Sequence, residues 1–389
     1  MRADQQALIL ILAVCGFGST FAGRITEPLV GVMARDLGTA PETIALLSTA
    51  YALPYAFIQP VLGPVGDALG KARIMKICLA VLSVTLLASA FTPSSPVLFT
   101  LRILSGAAAG GIVPLALAMI GDRVGMEGRQ VAISRFLIAV ILGQLAGSSA
   151  AGLIASEISW RGVFILAALI AVAGAAAALV RLKPAPGAAR VFSLSVALER
   201  YRDLLLNPRA RALFALVFVE ATAIFGVFPY VAVLLESRGE GGPREAGLAL
   251  GGFALGGLAY TALVGVMLRR LGVPKILIGG GVASAGALSA LTLGGDWIFD
   301  AVALGLLGLG FYMLHNSFQT QVTEVAPTAR ASAVALHAFS FFVGQALGVV
   351  LVGQGFGLVG VAPTLLACAA VILSVGLAAA AVLGPATKR

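Results

Sequence analysis

The chain has 389 residues, of which 59% are hydrophobic and 11% charged, and its mean hydropathy is +1.02. A water-soluble enzyme or binding domain does not carry that balance, so the sequence reads as an all-α membrane protein. Lys and Arg number 26 against 17 Asp and Glu, giving a net charge of +9. That sum raises nucleic acid as a partner until the basic residues are placed along the chain.

A spanning helix needs about 20 apolar residues. Twelve such spans are predicted, over 7–33, 43–66, 74–93, 97–121, 131–153, 161–181, 211–235, 246–268, 275–294, 299–323, 331–354 and 361–384. The first run leads into further spans and lacks a small-residue cleavage pattern, so it reads as a span and not as a removed signal peptide. With the N-terminus inside, Lys71, Arg73, Lys76, Arg123, Arg129, Arg181, Lys183, Arg269, Arg270 and Arg330 gather on one side of the membrane. Arg35, Arg161, Arg238 and Arg244 are the basic residues of the other. This is the positive-inside asymmetry of a multi-pass protein in a cell (inner) membrane with both termini cytoplasmic, and it excludes a nucleic-acid patch.

The polar stretch 183–210 divides the chain into a six-helix half over 1–182 and another over 211–389. It reads as a cytoplasmic linker with one surface helix over Leu194–Leu206. Cys15, Cys78 and Cys368 lie in apolar runs and imply neither disulfides nor metal.

The two halves repeat. Pro28 in Glu27-Pro28-Leu29-Val30 corresponds to Pro229 in Phe228-Pro229-Tyr230-Val231, 201 residues later. Gly143-Gln144-Leu145-Ala146-Gly147 recurs at the same spacing as Gly344-Gln345-Ala346-Leu347-Gly348, and the loop from Gly63 to Lys71 recurs from Gly265 with a spacing of 202. In a membrane chain such a repeat implies two equivalent halves around a mid-bilayer binding site, the arrangement of alternating-access transport.

Gly63-x-x-x-Asp67-Ala68-x-Gly70-Lys71-Ala72-Arg73, between the second and third spans, resembles the loop motif of the major facilitator superfamily. Arg102-Ile103-Leu104-Ser105-Gly106 resembles the arginine-glycine motif of that family's fourth span, and Gly143, Gly147 and Gly152 its glycine-rich antiporter motif. Ala68 stands where the loop motif usually has Arg, and Ser148 where the antiporter motif usually has Pro. Within the superfamily, Phe311 to Thr320 and Phe225 to Tyr230 resemble the bacterial drug and sugar-efflux, proton-antiporter branch. The resemblance implies a gating loop formed by Gly63, Asp67, Gly70, Lys71 and Arg73, and a role for Arg102 in proton coupling. It also implies that the fifth-span glycines limit leak, for which helix packing is the alternative.

Charges within spans are costly, about 2.5–3.5 kcal/mol for Asp, Lys or Arg at a helix centre. Arg24 and Glu27, three apart, share a helix face, so they form either a static ion pair or a titrating acid beside a competing cation. Glu220 lies in the seventh span with no basic neighbour one turn away. It is either a coupling or substrate carboxylate, protonated when shut from water and ionised when open to it, or a neutral acid hydrogen-bonded to the other half. Arg102 couples protons or snorkels to the interface. His315, Asn316, Gln319 and Thr320 place polar groups on one face of the tenth span, with His315 a candidate titrating group. Gln144, Gln345, Phe225 and Tyr230 are further candidates for a central cavity, whereas His337 reads as a packing residue.

No nucleotide-binding loop and no metal-ligand spacing occurs in the sequence. The expectation is therefore a secondary transporter without enzymatic activity or cofactor, driven by a proton gradient and acting as a monomer in the bilayer. Proton-coupled antiport exporting small drug-like or sugar-like compounds is the leading reading. Proton symport for uptake of a sugar or organic acid is the alternative, and a non-transporting membrane sensor a remote one.

Overall fold

The computed structural model describes residues 3–182, 194–325 and 330–383, without the side chains of some helical residues, Gly63, Asp67 and Ala68 among them. The expected linker segment 183–193 lies outside the described residues. Among those described, the secondary structure is helical throughout, and the chain divides into two compact units, Met1–Leu194 and Ser195–Arg389.

The first unit contains α1 (Ala3–Arg24), a 3₁₀ turn at Glu27–Leu29, α2 (Val30–Asp36), α3 (Pro41–Leu69), α4 (Lys71–Ala90), α5 (Ser95–Ala109), α6 (Ile112–Arg123), α7 (Met126–Glu157) and α8 (Trp160–Arg181). At the start of the second, α9 (Leu194–Leu206) occupies the position expected for a surface helix. There follow α10 (Pro208–Phe225), a 3₁₀ turn at Phe228–Tyr230, α11 (Val231–Arg238), α12 (Pro243–Ala290), α13 (Trp297–Val325), α14 (Arg330–Leu358) and α15 (Val361–Leu383). Local chemistry sets several of the starts: the Asn207 side chain accepts from the amides of Arg209 and Ala210, and the Ser159 hydroxyl from that of Gly162.

Three of the expected spans are present but broken internally. The first and seventh are each broken, because Pro28 and Pro229 have no amide hydrogen to continue an α-helix and each opens a short 3₁₀ turn instead. The fourth is interrupted at Gly110 and Gly111, between α5 and α6.

Among the described residues, eleven helices are long and apolar enough to cross a membrane. One of them, α12, has 48 residues, about 72 Å of helix and more than twice the hydrocarbon thickness. It is folded at Gly272, where φ is 72° and ψ 166°, a conformation open to glycine, and Pro274 follows. Its parts, 243–271 and 273–290, are separate spans, which gives the twelve-helix architecture of two pseudo-symmetric six-helix units.

The expected loop from Gly63 to Lys71 is also different. Helix α3 continues through Gly63 and Asp67 to Leu69, and the turn is made at Gly70, whose φ is 93°. Gly63 therefore makes no turn, and the side chain of Asp67 lies outside the described residues.

Within each unit the repeated residues make repeated contacts. Helix α1 packs on α7 and α10 on α14. A Cβ on Gly143 would lie 2.5 Å from the carbonyl oxygen of Phe17, and one on Gly344 2.3 Å from that of Phe218. Gly147 meets Phe21 in the same way, and Gly348 meets Thr222. Such contacts let backbones approach closely where no hydrophobic force drives helices together in lipid.

Candidate functional site

Each unit holds a buried polar cluster beside its broken helix. In the second unit the cluster centres on Glu220, near the C-terminal end of α10 and 0% exposed. Its Oε2 lies 2.8 Å from Nδ1 of His315 on α13. Phe311, one turn before His315, stacks on the imidazole with centroids 4.8 Å apart, and Phe341 of α14 lies against it at 4.9 Å. Behind them Phe225 touches Phe228, Phe253, Phe311 and Phe341 at 4.8–5.6 Å. This aromatic shell lowers the local dielectric, so the carboxyl and imidazole interact strongly with each other and only weakly with bulk water.

The partner of Glu220 among the described residues is thus a group of its own unit and not a cation on its own helix. It comes from α13, and the polar face expected on the tenth span divides accordingly. His315 turns inward to Glu220, the Asn316 amide donates to the Tyr260 hydroxyl at 3.1 Å, and Gln319 is exposed. His337, read from sequence as packing, belongs to the cluster: its ring lies 5.1 Å from that of His315, and its Nε2 has no hydrogen-bond partner among the described residues. Gln345 is buried, also with an unpartnered Oε1, whereas the equivalent Gln144 in the first unit is half-buried. Phe225 is enclosed by its ring neighbours, and Tyr230 is buried with its hydroxyl donating to the carbonyl of Val349 at 3.0 Å.

In the first unit the 3₁₀ turn carries Glu27 back to Arg24, whose Nη1 lies 2.7 Å from Glu27 Oε1 with both side chains largely buried. The Ser148 hydroxyl donates to Glu27 Oε2 at 3.4 Å. Arg102 on α5 is 0% exposed and does not snorkel to an interface. Its Nη1 donates to the carbonyl of Ala22 at 2.9 Å, on the last turn of α1 before the break, and its guanidinium lies 4.2 Å from the ring centre of Tyr51. A cation is favoured where a helix ends and its carbonyls lose their partners. Tyr51 itself donates to the carbonyl of Ser19 at 3.0 Å.

Sequence reasoning missed Tyr51 and Ser148 as members of this cluster. For Ser148 the signal was visible, since a hydroxyl stands where the motif usually carries a proline that cannot donate.

At the end of α3, Lys71 pairs with Asp122 on α6 at 2.7 Å, and Arg73 is exposed. Among the described residues no group of three or more His, Cys, Asp or Glu side chains is arranged to hold a metal ion.

The chain is similar over most of its length to known membrane proteins. It is 24% identical over 341 residues to the uncharacterized MFS-type transporter YybF of Bacillus subtilis, covering 85% of this chain and 82% of that one. The multi-drug resistance efflux pump PmrA of Streptococcus pneumoniae is 28% identical over 162 residues, a likeness that spans 40% of each chain. Among solved structures, a mutant of the nucleoside transporter NupG superposes with a TM-score of 0.80 at 18% identity, covering 96% of this chain and 99% of that one. The profile of the Major Facilitator Superfamily matches residues 12–349, and with two six-span units built on the same glycine contacts the chain belongs to that superfamily of multi-pass membrane transporters.

Proposed function

We propose that the protein is a proton-coupled antiporter of the inner membrane, with both termini cytoplasmic, that exports small drug-like or sugar-like organic compounds by alternating access. The observation that carries this reading is the Glu220–His315 pair, a carboxyl and an imidazole 2.8 Å apart inside an aromatic shell. Such a pair exchanges one proton without leaving a bare charge. When Glu220 is protonated its hydroxyl donates to Nδ1, and when it is ionised an Nδ1–H donates to the carboxylate. Substrate that hydrogen-bonds or pairs with the ionised carboxylate competes with the proton, and this competition is the coupling. One pH unit supplies about 1.4 kcal/mol per proton, and moving a charge across 100 mV adds about 2.3 kcal/mol. The partial likeness to an efflux pump supports export over uptake. In this reading 1–182 and 211–389 are the two functional halves and 183–210 their linker.

A second reading, proton symport of an anionic metabolite, is favoured by the first unit, where Arg24 and Arg102 share one acid, Glu27. One experiment separates the two. Purified protein in liposomes with an internal pH dye receives tetraphenylphosphonium, lactose or citrate in turn. Proton flux opposite to substrate and lost in Glu220→Gln is the expected result. Flux in the same direction establishes symport, and unchanged coupling in both Glu220→Gln and Glu27→Gln overturns the carboxylate assignment.

A further inference from the structure

The proposed cycle loads and unloads a proton at Glu220, yet this carboxyl is fully buried, and its Oε1 has no partner among the described residues. A proton leaving it needs a route to water. Three observations supply one within the second unit. The only two histidines of the chain, on the consecutive helices α13 and α14, lie with their ring centroids 5.1 Å apart. His337 is buried, at 4% exposure, and its Nε2 has no hydrogen-bond partner among the described residues. A buried imidazole nitrogen left in this way costs stability without return, so packing alone gives no reason to keep it.

The third observation is depth. Helices α10 and α14 run parallel, because Phe218 and Thr222 meet Gly344 and Gly348 in the same order. The start of α10, the end of α13 and the start of α14 therefore lie at one end of the unit. At 1.5 Å per residue, Glu220 is about 18 Å from the start of α10, His315 about 15 Å from the end of α13, and His337 about 10 Å from the start of α14. The three groups form a descending series toward that end, the basic side of the chain.

We infer that His337 is the outlet of a three-residue proton relay, Glu220 to His315 to His337. This deepens the antiport reading and rests on it. The Glu220 Oε2–H proton passes to Nδ1 of His315 while the Nε2–H proton of His315 passes to His337, directly or through one water. The products are a Glu220 carboxylate, a neutral His315 protonated at Nδ1 and a His337 imidazolium, which releases its proton to water at the end of the unit. The starting arrangement is restored when His315 takes up a proton at Nε2 and returns its Nδ1–H proton to the Glu220 carboxylate. The groups that bear on His337 are His315 from α13 and, behind it, Glu220 from α10. The other charged residues of α10, Arg209 and Arg211, lie in its first turn, α13 carries Asp300 near its start and Glu324 near its end, Arg330 opens α14, and α15 carries no charged side chain.

With two histidines in the chain, ¹⁵N-histidine labelling reports on these sites alone. Spectra of the full-length protein in lipid nanodiscs across about pH 5 to 8, the range in which histidine ordinarily titrates, are expected to show both rings changing protonation in a shared step. Glu220→Gln is expected to displace that step for both. A His337 signal that keeps one neutral tautomer at every pH, with or without Glu220, overturns the relay whatever the substrate.

Transport provides the second arm, using tetraphenylphosphonium as the probe. His337→Gln is expected to lower the rate of pH-driven accumulation about 10²-fold, the low end of the range for losing a proton-transfer group, while exchange of labelled for unlabelled probe at equal pH persists. Accumulation equal to wild type in His337→Gln but lost in Glu220→Gln overturns the relay and leaves antiport standing. Accumulation unaffected by Glu220→Gln overturns the placement of coupling at Glu220, and the relay with it, whereas proton flux in the same direction as the probe overturns antiport.

Discussion

Gly344 lies so close to Phe218 that a Cβ on it would stand 2.3 Å from the Phe218 carbonyl oxygen. The obstacle is backbone and not the end of a flexible side chain, so α14 and α10 have to separate to admit a methyl group. Gly344→Ala is expected to destabilise the protein by about 1–3 kcal/mol, the range for overpacking. Gly286→Ala on α12, where nothing lies within 4 Å of the added carbon, is expected to be neutral or stabilising by up to about 1 kcal/mol, from helix propensity. Thermal unfolding of both variants in one detergent checks the difference, and equal melting temperatures refute the packing argument.

Arg102 occupies a seat that the second unit fills with an apolar residue. Gly106 and Gly308 both press on a carbonyl oxygen, of Tyr51 and Phe253, and one turn before them stand Arg102 and Leu304, each 0% exposed. Two of the guanidinium nitrogens of Arg102 have no hydrogen-bond partner among the described residues. Replacing a poorly compensated buried charge by a hydrophobic residue is often neutral or stabilising. Arg102→Leu is therefore expected to keep thermal stability within about 1 kcal/mol of wild type while transport falls, because the break that positions Glu27 loses its cation. A large stability loss with normal transport in the surviving protein reverses this assignment.

The buried pair Arg24–Glu27 is expected to behave non-additively. Removing one partner strands a charge, which costs about 3–5 kcal/mol, so Arg24→Gln and Glu27→Gln each lower the unfolding midpoint strongly. The double variant strands no charge and is expected to be more stable than Arg24→Gln alone. A double-mutant cycle with no coupling energy means that the 2.7 Å contact contributes nothing net.

Two further ion pairs differ in burial and hence in expected effect. Arg238 donates to Asp300 at 2.6 Å, and the Asp300 side chain is 2% exposed. In the other unit Arg161 pairs with Asp36, which is 44% exposed and also accepts from the Trp160 ring nitrogen. Arg238→Ala is expected to cost about 2–3 kcal/mol by leaving a buried acceptor uncompensated, and Arg161→Ala at most about 1 kcal/mol. High salt weakens the second pair far more than the first, a contrast readable from melting curves at two ionic strengths.

Features that depend on neighbours along the chain are legible in the residues alone. Twelve apolar runs of spanning length, two halves related by a shift of about 201 residues, and the Arg24–Glu27 pair three positions apart follow from length, period and helix geometry. Prolines 28 and 229 were equally legible as a repeat, although the 3₁₀ breaks they cause emerged only with the backbone. Tertiary structure alone decided which helix faces which. Glu220 found His315 across 95 residues and Ser148 found Glu27 across 121, and His337 came to lie beside His315. No local pattern encodes these pairings, because a helix buried on several sides in a bundle has no single apolar stripe, and its rotation is set by where glycines let a neighbouring backbone come close.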